Sequence, residues 1–107
     1  MRAAAAGTVA LALWGCASVV VHPSGRDASW ASQKWPGTTV ADLEQGRTVF
    51  VSHCAGCHNL PSPGSKTPDE WASVVGEMAA GARLDAADQD LVLRYLSAVS
   101  DRLRQGG

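Results

Sequence analysis

Gly46-Arg47-Thr48-Val49-Phe50-Val51-Ser52-His53-Cys54-Ala55-Gly56-Cys57-His58 is the stretch that organises this chain. It joins a run with helical apolar spacing to two cysteines two residues apart, and a histidine follows the second cysteine directly. Thiols at that spacing can add to the two vinyl groups of one porphyrin, and the adjoining histidine then lies beneath the iron. Cys-x-x-Cys-His is the attachment signature of c-type haem. Ala55 and Gly56 are small enough for the backbone to curl close to a ring edge.

Two other chemistries use a Cys-x-x-Cys pair. A dithiol oxidoreductase brings a βαβ setting, and a structural zinc site needs more ligands. No strand pattern is convincing here, and there is no second cysteine pair. Haem attachment at Cys54 and Cys57, with His58 on the iron, is therefore the expectation.

Working outward, the residues ahead of the motif predict a helix from about Val40 to His53, with Thr38 or Thr39 as N-cap. Leu43, Gly46, Val49 and Phe50 recur on one side of it. Gly46 shares a face with Phe50, where the missing side chain allows a second helix to approach closely. After the motif, Thr67-Pro68-Asp69-Glu70 is a capping box with proline in the favoured first-turn position, which predicts a helix over 68–80. Trp71, Val74, Val75 and Met78 fall at i, i+3, i+4 and i+7, so this face is expected to meet the cofactor. Asp85 can cap a last helix from Ala86 to about Leu103, with Leu91, Tyr95, Leu96 and Val99 as its apolar stripe. The fold class expected is all-α, three main helices around one covalently bound haem.

The chain is 107 residues long, enough for one small domain with extensions. A bare core of that size is marginal, and a rigid apolar cofactor would supply much of it. Nine basic residues stand against ten acidic ones without a like-charge run, which argues against nucleic acid as a partner. Arg102 and Arg104 form the one basic cluster, placed where a helix C-terminus favours cations.

The N-terminus has Met1 and Arg2, then no charge from residue 3 to residue 21, the layout of an export signal. Leu13-Trp14-Gly15-Cys16 resembles a bacterial lipobox, although Trp14 stands where a small residue is usual. Three fates compete: lipidation of Cys16, which is preferred; cleavage after Ala17; and retention as an uncleaved anchor. All three put the folded part on the periplasmic side of a bacterial membrane. Cleavage before Cys16 would remove only Arg2 from the charged residues. Residues 16–38, rich in Ser, Pro and Gly, show no helical or alternating period and read as a flexible tether. Trp30 and Trp35 interrupt it, so its end is expected to dock on the domain surface. The domains expected are thus 1–15 signal peptide, 16–38 tether and 39–105 haem domain.

On these residues the chain resembles the class I cytochrome c family in its short, single-haem bacterial form. The resemblance spans about residues 40–103. It is carried by Gly46-Arg47-Thr48-Val49-Phe50, the haem motif, Thr67-Pro68-Asp69-Glu70-Trp71 and Arg94-Tyr95-Leu96, of which only the haem motif is highly specific. It implies that the first and last helices cross near a glycine and an aromatic, which Gly46, Phe50 and Tyr95 match. It implies further that a methionine completes the iron, although the family often presents that methionine from a loop farther along the chain. The candidates for the sixth position are Met78, His22, His53 and Met1, the last lost with any cleaved leader. His22 lies in the tether, and His53 is constrained by its neighbour Cys54. Met78 is preferred, against the plainer role of filling the core beside Trp71. The resemblance also gives a proline soon after the motif the task of accepting the Nδ1 proton of His58 through its carbonyl, and Pro61 and Pro63 both qualify. Trp71 is open to core packing, contact with the haem, or donation to a propionate.

Function on this reading is electron carriage between redox partner proteins, without substrate chemistry on the protein. No Ser-His-Asp set, phosphate loop or convergent carboxylate pair is evident. Two alternatives stay open: a haem sensor or peroxidase-like protein with an open iron site, and a subunit of a larger oxidoreductase held through Trp30, Trp35 and the tether.

Overall fold

The computed structural model describes residues 20–54 and 60–106. Among them the chain forms α1 (Gly25–Lys34), α2 (Val40–Cys54), a 3₁₀ turn at Pro63–Ser65, α3 (Pro68–Met78) and α4 (Ala86–Arg104), with no strand among the described residues. The class is all-α, as expected.

Each helix begins where a side chain can satisfy its free amide hydrogens. Thr39 Oγ1 accepts from the Asp42 amide at 3.1 Å while Asp42 accepts from the Thr39 amide at 2.9 Å. Thr67 and Glu70 close the capping box of α3 at 3.1 and 2.8 Å. Asp85 accepts from the Asp88 amide at 2.8 Å to open α4.

Helix α4 is the centre of the fold, in contact with α1, α2, α3 and the 3₁₀ turn. Residues 95 to 100 are consequently all buried, polar ones included. Ser100 donates its hydroxyl to the Lys66 carbonyl, so its burial leaves no unpaired group. The sequence stripe found Tyr95, Leu96 and Val99 but missed Val92 and Ala98, both fully buried, because a helix packed on several sides has no single apolar face. Gly46 makes the crossing of α2 and α4 close. A Cβ placed there would lie 2.2 Å from the Leu91 carbonyl oxygen and 2.9 Å from Tyr95 Cβ. Phe50 stands between Trp71, edge to face at 6.0 Å, and Tyr95 at 6.2 Å. These rings join Val49, Val75, Val92, Leu96 and Val99 in the main core.

The reading of 16–38 as a tether is corrected over its described part. Gly25–Lys34 is a helix with a capping box of its own: Ser24 accepts from the Asp27 amide, and Asp27 accepts from the Ser24 amide at 2.8 Å. Its buried face is Asp27 and Ala31, one turn apart. Asp27, 1% exposed, is held by Arg102 of α4 at 2.8 Å. Half of that face is an ion pair, so an apolar period could not reveal it. Trp30 and Trp35 pack beside Ala31, Leu43 and Ala98 in a second, smaller core, which fulfils the expectation of docking.

Upstream, Val20 is 2% exposed and belongs to the main core. Arg47 Nε donates to the Val20 carbonyl at 2.9 Å, and Tyr95 Oη donates to the Val21 carbonyl at 2.6 Å. Arg102 reaches the His22 carbonyl at 3.5 Å. Residues 20–22 form a strap across α2 and α4.

Candidate functional site

The apolar packing and capping described above carry α2 as far as Cys54, its last residue, which is half-buried against the main core. Val51, Leu60, Val74 and Leu84 are partly buried on that same core. Cys57 and His58 lie outside the described residues, as does Cys16. Loss of water around Cys54 pushes its thiol above the ordinary cysteine range.

His53 projects outward and its Nδ1 lies 3.0 Å from the Ala82 carbonyl oxygen. A carbonyl only accepts, so Nδ1 carries the hydrogen. This bond ties the end of α2 to the turn that follows α3. Helix α3 stops at Met78, two residues short of the expected end. The chain then closes through Ala82 N–H to Met78 O at 2.9 Å, Arg83 N–H to Ala80 O at 3.2 Å and Leu84 N–H to Ala79 O at 2.9 Å. Arg83 takes the left-handed conformation at φ 59°, and the paired bonds around it are those of a Schellman close. Through this turn and His53, the end of α3 is linked to the end of α2, beside Cys54.

The four residues at helical spacing on α3 do not share one environment. Trp71 and Val75 are buried, Val74 is partly buried, and Met78 is 50% exposed. Its place in the last turn puts it at the margin of the core, so Met78 does not serve as core filler beside Trp71. His22 is engaged by Glu44, with Nδ1 3.0 Å from Oε2. Trp71 gives its indole N–H to the Pro63 carbonyl at 2.7 Å, which assigns that donor to the protein itself instead of a propionate. Pro63 is buried and Pro61 exposed. Among the described residues no group of three or more His, Cys, Asp or Glu is gathered as a metal site.

Sequence reasoning missed the pinning side chains of the strap, Arg47 and Tyr95, and the Asp27–Arg102 pair. Their partners are backbone carbonyls or a residue 75 positions away, and neither leaves a local pattern. Comparisons with protein-family models, curated proteins and solved structures give no match to this chain.

Proposed function

We propose that this chain is a monohaem c-type cytochrome that carries one electron between redox partner proteins, exported and anchored by a lipid on Cys16. The observation that carries the reading is Cys54-Ala55-Gly56-Cys57-His58, which starts at the last residue of a capped and well-packed helix. Three features of the surrounding chain fit a haem. Cys54 ends α2 half-buried against the apolar core, where a thioether to an apolar ring edge would be accommodated. Partly buried Val51, Leu60, Val74 and Leu84 offer apolar surface on the core that Cys54 also touches. Met78 keeps its thioether outside the core, at the end of α3 linked to His53.

Covalent haem c supplies a one-electron ferric and ferrous couple. Cys54 and Cys57 would hold it through their sulfurs, and His58 and Met78 would ligate its iron, the Met78 thioether favouring the reduced state. The rigid α2–α4 crossing at Gly46 fixes the helix that presents Cys54. Trp30 and Trp35 pack within the chain, which accounts for the observation that suggested a permanent partner contact.

A redox titration of the holoprotein followed by optical spectroscopy tests this reading. A single one-electron transition with low-spin spectra is expected. Ready binding of carbon monoxide by the reduced protein would instead favour an open iron site and a sensor or peroxidase-like role.

A further inference from the structure

The docked strap changes what a lipid on Cys16 would do. If residues 16–38 were a free tether, its 22 or so links could extend to roughly 75 Å and let the haem domain sample space far from the bilayer. The chain is instead fixed from Val20 onward. Val20 is 2% exposed in the main core, its carbonyl accepts from Arg47, the next carbonyl accepts from Tyr95, and α1 follows with its buried Asp27–Arg102 pair. Only residues 17–19 separate Cys16 from this fixed point, a contour of roughly 14 Å.

The same docking bears on the uncleaved-anchor alternative. Val20 and Val21 belong to the domain, so the apolar run left for a membrane is 3–19, about 26 Å as a helix against a hydrocarbon core of about 30 Å. That fate is disfavoured, whereas a Cys16 anchor requires nothing of those two valines.

We infer that the strap turns the lipid anchor into a short leash, which holds the domain against the bilayer surface with the strap side nearest the lipid. The inference rests on the acylation of Cys16 proposed above. Its consequence is a choice of partner class: a membrane-bound redox protein that presents its own site close to the bilayer, met by lateral diffusion. The strap contacts α2 at Arg47, seven residues and about 10 Å of helix before Cys54, so the electron-carrying end of α2 is held near the surface too.

The test uses the full chain purified from membranes. Mass spectrometry first reads the N-terminus, and acyl mass on an N-terminal Cys16 is expected; its absence overturns the anchor and the leash with it. The acylated protein is then placed on a supported bilayer of phosphatidylethanolamine and phosphatidylglycerol and profiled by neutron reflectometry. A compact protein layer beginning within roughly 14 Å of the headgroups is expected. Insertion of a 20-residue Gly/Ser segment between Ser18 and Val19, ahead of the strap in sequence, should move and broaden that layer by roughly 25 Å. An acylated parent whose layer is already diffuse and stands off by tens of Å, or one that the insertion leaves unchanged, overturns the leash while leaving the lipid anchor intact.

Discussion

Replacing Gly46 with alanine adds one methyl group where α2 and α4 touch most closely. That carbon would stand 2.2 Å from the Leu91 carbonyl oxygen and 2.8 Å from its carbon. An ordinary close C···O contact is about 3.3–3.6 Å, so the helices must separate by about 1 Å. Overpacking by a methylene typically costs about 1–3 kcal/mol when side chains can adjust. The group struck here is backbone inside a helix buried on several sides, so the cost lies at or above about 3 kcal/mol. Alanine returns about 1 kcal/mol of helix propensity. The net loss is about 2 kcal/mol, a fall in Tm of roughly 8–16 °C for a domain of this size. Gly76 provides the control: it also lies inside a helix, but a Cβ there meets nothing within 4 Å. Gly76→Ala should gain about 1 kcal/mol and raise Tm by roughly 4–8 °C. Thermal unfolding followed by circular dichroism, at equal haem loading, reads both. If Gly46→Ala raises Tm as Gly76→Ala does, the close crossing of α2 and α4 is refuted.

Arg102→Met leaves Asp27 buried without its cation and should cost about 3 kcal/mol; denaturant titration reads the loss, and faster tryptic cleavage after Lys34 shows that α1 has come away. Intact α1 with unchanged stability would refute that account of its docking. Tyr95 is the single tyrosine, so tyrosinate absorbance reads it alone. Burial holds its hydroxyl well above the ordinary tyrosine range. The stability tied to its neutral form is complete below about pH 10 and is lost as pH rises through the raised folded value. Ionisation should therefore coincide with alkaline unfolding; a free titration near pH 10 in the folded protein would contradict the strap bond to Val21. Met78 is half exposed and fills no core space, so a marked loss of holoprotein stability in Met78→Ala would report a lost iron ligand and not a cavity. The same variant should lose the long-wavelength ferric absorption of methionine ligation, lower the reduction potential and admit carbon monoxide. A spectrum unaltered by the substitution removes Met78 from the iron.

The sequence was most informative where structure is written locally. The Thr67–Glu70 capping box and the Asp85 cap located the starts of α3 and α4 correctly, because a cap is a contact between residues three apart. Gly46 was legible for a similar reason: a glycine on the apolar side of a helix has few uses besides close approach. Helix α1 carried one local signal, the Ser24–Asp27 capping box, but no apolar period followed it, because its buried face contains a charge whose partner, Arg102, is 75 residues away. Met78 carried an ambiguous signal. Its spacing from Trp71 and Val75 fitted both an iron ligand and core filler; the helix ends there and the side chain is half exposed, so the core-filling alternative is the one that does not hold. The haem attachment proposed at Cys54, Cys57 and His58 was legible from the motif alone, since its meaning lies in the spacing of those three side chains.

Covalent attachment is the central claim, and peptide mass spectrometry of the purified holoprotein tests it most directly. The account predicts one haem, retained through denaturation and acid–acetone extraction, on a proteolytic peptide that contains Cys54 and Cys57 with both sulfurs resistant to alkylation. A haem that extracts freely, or a peptide in which Cys54 and Cys57 are alkylated as free thiols, would contradict it.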